Sequence, residues 1–169
     1  MCGCDTIEGY IRVIHCTSIN DTLWVKEVNE DVNWNKVSLY TNEFDDVIAK
    51  LAFEGVGIYG QQFSSTTPEF GTNGAYSKCI TKTRDGKLVM YKRGTEGFAN
   101  SGLEPYGEFL SSELYSIITD GRSVKYELTN LQGKTASKCE IFTNEKVGLV
   151  PYSAVSDMPG LRALDFYKE

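Results

Sequence analysis

One histidine, four prolines and an odd set of five cysteines are all that 169 residues offer to the commonest catalytic and metal-binding patterns. His15 lies inside an alternating apolar pattern and reads as a packed side chain rather than a base, and no nucleophile–histidine–acid spacing accompanies it. Cys2 and Cys4 are one residue apart, whereas zinc pairs use two to four intervening residues and need a second pair. Cys16, Cys79 and Cys139 fall singly in strand-like segments, where a thiol behaves as a small core residue. The opening MCGCDTIEGY lacks a basic region followed by an apolar run, so reduced thiols in a cytoplasmic setting are expected. No apolar run approaches the roughly 18 residues of a membrane span. Basic residues are also short: 17 Lys and Arg face 23 Asp and Glu, for a net charge of -6 and a pI near 4.9. That balance argues against non-specific nucleic-acid binding, which needs clustered cations, and fits a protein partner with a basic surface.

What is present belongs to a globular domain. Hydrophobic residues make up 41% and aromatics 12%. A chain of this length buries about two-thirds of its unfolded surface and needs neither metal nor disulfide to fold. Residues 1–169 read as a single domain without repeats. Gly9 to Cys16 and Asp21 to Val28 alternate as strands do. Asn42 suits a helix N-cap, and Phe44, Val47, Ile48, Leu51 and Ala52 follow at helical spacing up to Glu54. Gly55-Val56-Gly57-Ile58-Tyr59-Gly60 matches a dinucleotide-binding pattern letter for letter. A helix precedes it and a polar loop follows, the reverse of the required context, so it reads as helix termination. Ala75 to Thr83 and Lys87 to Lys92 read as a hairpin turning at Asp85-Gly86. Pro105 marks the first turn of a helix whose stripe Tyr106, Phe109, Leu110, Leu114, Ile117 and Ile118 is expected to be buried. Val124, Tyr126 and Leu128, then Thr135, Ser137, Cys139 and Ile141, read as two strands joined at Gln132-Gly133. Pro159 to Glu169 suits a short helix. The fold class expected is α+β, an antiparallel sheet with two main helices.

The segment Lys87 to Ile118 carries the sharpest chemical signal. It places Lys92 on a strand, then a Gly-rich connection, then Glu108 on a helix. Protein kinases use a strand lysine, held by a helix glutamate, to hold nucleotide phosphates. The alternative is a surface lysine and an early-turn glutamate favoured by the helix dipole. The loop Ser64 to Gly74 gathers hydroxyls and glycines able to cradle a phosphate, or is an ordinary surface loop. Asp165-Phe166 is followed by Tyr167 rather than glycine, so it is not read as a metal-binding kinase motif.

Four segments together resemble HipA-like serine/threonine kinases of the Firmicutes type. They are DTLWVKEVNEDVNWNKVSLYTNEFDDVIAKLAF, SSTTPEFGTNGAYSKC, GKLVMYKRGTEGFANSGLEPYGEFLSSEL and SKCEIFTNEKVGLVPY. The resemblance runs from about Tyr10 to Glu169 and implies a kinase small-lobe-like fold. It implies that Lys92 is the nucleotide-binding lysine and Glu108 its helix partner. It also places Thr66, Thr67, Gly71, Thr72 and Gly74 in a phosphate-facing loop, and it puts the end of the lobe near Phe142. The family's catalytic and metal-binding aspartates belong to a large lobe that has no counterpart in this sequence, and its extra N-terminal subdomain is also lacking. TDGRSVKY stands where relatives have a short apolar turn.

Three expectations follow. The first is a non-catalytic binding protein or inhibitor, a natural short derivative of such a lobe encoded by a phage or mobile element. Its partner would be a host defence enzyme with a basic groove, such as a CRISPR ribonucleoprotein nuclease. The second is the ATP-binding portion of a HipA-like kinase that needs a separate catalytic lobe. The third is a nucleotide sensor that binds ATP without chemistry. The first is preferred, with no cofactor and no metal expected.

Overall fold

A computed structural model describes residues 6–9, 24–38, 40–41, 46–54, 76–96 and 101–150. The described elements are α1 (Trp34–Val37), α2 (Asp46–Glu54), β1 (Lys78–Lys82), β2 (Leu88–Arg93), α3 (Glu104–Ile118), β3 (Tyr126–Leu131) and β4 (Lys134–Glu140). The strands form one antiparallel sheet in the order β1-β2-β4-β3. This is the α+β architecture expected from the sequence.

Two hairpins build the sheet, and their turns explain it. Gly86 takes φ +85°, a conformation that glycine adopts without a Cβ penalty, and so returns β2 along β1. Gln132 and Gly133 both take positive φ, 54° and 77°, as a two-residue turn matched to strand twist requires. The Asn130 side chain accepts a hydrogen bond from the Gly133 amide at 3.0 Å and steadies that turn. Ile141 continues the β2–β4 pairing past the end of β4 by donating to the Leu88 carbonyl at 2.8 Å.

Strand alternation divides the side chains between two faces. One face carries Cys79 and Ala136, on which Ala49 and Phe53 of α2 pack, with Ala52, Tyr91 and Leu131 around them. Phe53 is fully buried, and such a ring contributes about 1.5–3 kcal/mol. The opposite face carries Ile80 and Leu88, packed with Tyr40, Met90 and Ile141. Further along that face, the register aligns Lys78, Lys92, Ser137 and Leu128 in one row. Cys79 and Cys139 are buried free thiols, as a core role predicts.

Several expectations need correction. Residues 24–28 are not a strand. Val25 and Val28 are exposed, and Glu30 donates its amide to the Glu27 carbonyl at 3.1 Å, closing a turn. The Glu27 amide donates back to the Glu30 carboxylate at 3.3 Å, and the Lys26 ammonium donates to the Glu30 and Val32 carbonyls, so local contacts hold a turn here. On α2 the buried side is Ala49 and Phe53, while Val47 is exposed. The largest departure is α3. Of the stripe expected in the core, Tyr106, Leu110, Leu114, Ile117 and Ile118 are exposed and Phe109 is half-buried, while Pro105 and Ser112 are buried instead. Among the proposed strand Gly9–Cys16, only Gly9 is described, and residues 7–9 are helical. Asn42, Phe44, His15, the Gly55–Gly60 segment and the Pro159–Glu169 helix lie outside the described residues.

Candidate functional site

β2 ends its inward-facing row on Lys92, and α3 crosses the same face. Two left-handed residues, Ser101 (φ 51°) and Gly102 (φ 86°), turn the chain into that helix. Leu103 provides no side-chain cap. Instead the Glu104 carboxylate reaches back and accepts hydrogen bonds from the Thr95 amide (3.1 Å) and hydroxyl. Gly94 and Gly102 meet so closely that a Cβ on Gly94 would lie 2.6 Å from the Gly102 carbonyl oxygen. The ends of the connecting loop are thus pinned, which fixes where α3 begins. One turn beyond Glu104, Glu108 falls on the same helix side and faces the sheet.

There the two residues singled out by the sequence meet. Lys92 Nζ donates to Glu108 Oε1 at 2.8 Å and to the Tyr126 hydroxyl at 2.9 Å. The ammonium also lies 4.9 Å from the centre of the Tyr126 ring. The second oxygen of Glu108 accepts a hydrogen bond from Ser137. One turn further, Ser112 Oγ accepts from the Tyr126 amide at 3.1 Å, tying α3 to the start of β3. Lysine and glutamate are each about a quarter exposed, so the pair is partly shielded from water without being fully desolvated.

The electrostatics follow from this enclosure. Burial pulls the Lys92 ammonium towards its neutral form, but hydrogen bonds to Glu108 and Tyr126 outweigh it and leave the pKa raised. Burial lowers the pKa of neighbouring Lys78, the charge of Lys92 lowers it further, and Glu108 opposes both. Burial raises the Tyr126 hydroxyl, with the Lys92 bond acting against it. Burial likewise raises the Cys139 thiol, which the Tyr126 hydroxyl opposes.

Of three ammonium donors on Lys92, two are committed to protein groups, and one remains for water or a phosphate oxygen. The network is built to hold a charged lysine in one direction. Thr66, Thr67, Gly71, Thr72 and Gly74 lie outside the described residues, so only Lys92 and Glu108 of the expected nucleotide set are placed. Among the described residues, no group of three or more His, Cys, Asp or Glu is arranged to hold a metal ion, and no helix is long and apolar enough to cross a membrane. Sequence reasoning missed Tyr126 and Ser137 as parts of the site. The turn at Gln132-Gly133 carried part of the signal, because counting back along its register brings Ser137 opposite Leu128; its place next to Lys92 comes from the β2–β4 pairing, which that turn does not set.

The outer side of α3 contrasts with this polar underside. Leu103, Tyr106, Leu110, Leu114 and Ile117 recur at spacings of three and four, which makes one stripe. Ile117 is 81% exposed, Leu110 64% and Leu103 60%. Beside the stripe, between α3 and β3, runs a groove of about 360 Å³ lined by Gly107, Ser111, Tyr115 and Val124 together with Glu108, Ser112 and Tyr126 of the polar network.

No protein-family model, curated protein or solved structure matches the chain.

Proposed function

We propose that this chain is a non-catalytic protein-binding module on a kinase small-lobe-like scaffold, acting as an inhibitor in the cytoplasm. The observation that carries the reading is the outward apolar stripe of α3, since contiguous apolar surface of this kind marks contact sites. The Lys92–Glu108 pair then serves as a clamp that holds α3 to the sheet. A net charge of -6 suits a partner with a basic groove. A host defence enzyme such as a CRISPR nuclease, with its positively charged channel, has that character, and a phage or mobile element would be the source of such an inhibitor.

The second reading is the ATP-binding lobe of a HipA-like serine/threonine kinase. It draws on the 2.8 Å Lys92–Glu108 pair, the strand–helix ion pair that kinases require. Two measurements on the same protein separate the readings: partner capture by wild type and Lys92→Met, and calorimetric titration with Mg-ATP. A complex with an unrelated protein that persists in Lys92→Met, without a nucleotide signal, is the expected result. Mg-ATP binding that disappears in Lys92→Met, or phosphoryl transfer once a large lobe is added, would replace the first reading with the second.

A further inference from the structure

Resting on the binding reading, the geometry points to α3 as the docking face, and to a basic amphipathic helix of the partner as what it takes. The stripe Leu103, Tyr106, Leu110, Leu114 and Ile117 runs the length of α3 with more than half of each aliphatic side chain exposed. Gly107 and Ser111 border it and keep the adjoining groove low, so a second helix can approach closely along α3.

Charge selects among the occupants. From Gly94 to Gly121 the chain has five acidic residues, Glu96, Glu104, Glu108, Glu113 and Asp120, and no lysine or arginine. Three of these are engaged internally, with Lys134, Thr95 and Lys92 respectively. Glu113 and Asp120 are exposed and have no ion-pair partner among the described residues. Glu113 is three residues from Leu110 and four from Ile117, so its carboxylate edges the stripe. A helix with an apolar seam and lysine or arginine flanks satisfies both the seam and the carboxylates.

The probe is a synthetic leucine–lysine amphipathic helix matched to the 15 residues of α3, labelled for fluorescence anisotropy. Its counterpart carries glutamate in place of every lysine. Wild-type protein is expected to bind the lysine peptide and not the glutamate peptide. Leu110→Glu together with Leu114→Glu should weaken binding about tenfold or more. Those substitutions add negative charge, so the loss reports apolar contact rather than electrostatics. Glu113→Lys should weaken binding several-fold, while Asp31→Lys, the same charge change outside α3, should not. Circular dichroism confirms that each variant is folded. The inference is overturned if neither peptide binds, if both bind alike, or if the double variant binds as wild type does. A dimer in sedimentation that the double variant abolishes would also overturn it, in favour of a second copy. If the double variant still captures the partner that wild type captures, this face is wrong, and the binding reading then rests on the captured complex rather than on the stripe. If no partner is captured and Mg-ATP binds, the binding reading itself falls.

Discussion

Lys92 is the residue on which the sheet and α3 depend together. Its contacts with Glu108 and Tyr126 are charge-assisted and partly shielded. Lys92→Met is expected to cost roughly 1–3 kcal/mol in urea unfolding, because Glu108 loses its partner while Ser137 keeps donating to it. The raised pKa of Lys92 gives this a definite pH signature. The folded state holds the proton more tightly than the unfolded chain does. The stabilisation is therefore complete below the unfolded lysine value of about 10.4 and is lost as pH rises through the folded value. Wild-type stability should fall over that alkaline window more steeply than that of Lys92→Met. Parallel slopes in the two proteins would show that the lysine titrates as it does in the unfolded chain. Gly94 is the second decisive residue. A methyl group there meets Gly102 backbone rather than a yielding side chain, so Gly94→Ala should lower stability by about 1–3 kcal/mol in the same assay.

At the scale of the element, the two hairpins and the extent of α3 were legible because each is punctuated. Asp85-Gly86, Gln132-Gly133 and Pro105 set chain direction through backbone preference alone, and tertiary packing does not compete with them. The face of α3 was not legible. Helical periodicity finds a stripe but does not say which way it points. Here the opposite side offers Glu108 and Ser112, which find Lys92, Ser137 and the Tyr126 backbone on the sheet. Those polar partners turn the helix, and the leucines go outward. The same element predicts that Ser112→Ala costs about 1–2 kcal/mol, since the Tyr126 amide loses its acceptor beneath α3. Thermal unfolding measures this, and an unchanged melting temperature would mean that the contact is replaced by water. Residues 24–28 failed for another reason. Alternation alone does not make a strand where the chain closes a turn, as the Glu30 amide does on the Glu27 carbonyl.

At the scale of the molecule, an antiparallel sheet carries α2 on one face through an apolar core and α3 on the other through a polar network. The first helix is held by burial, and the second by hydrogen bonds that leave its apolar side exposed. Lys92 and Glu108 are legible in the sequence as a pair and meet in space, while the loop proposed to face phosphate lies outside the described residues. Binding of the proposed partner should weaken as salt rises, because a net charge of -6 would contribute to the encounter with a basic surface. A complex insensitive to salt would shift the weight to apolar contact alone. The most direct test of the account is equilibrium unfolding of the whole chain carrying Leu110→Glu and Leu114→Glu. With the stripe outward, the double variant should stay within about 1 kcal/mol of wild type. If the stripe were core, two buried leucines exchanged for charge would cost at least about 4 kcal/mol, and a loss of that size would contradict the outward face and the binding role built on it.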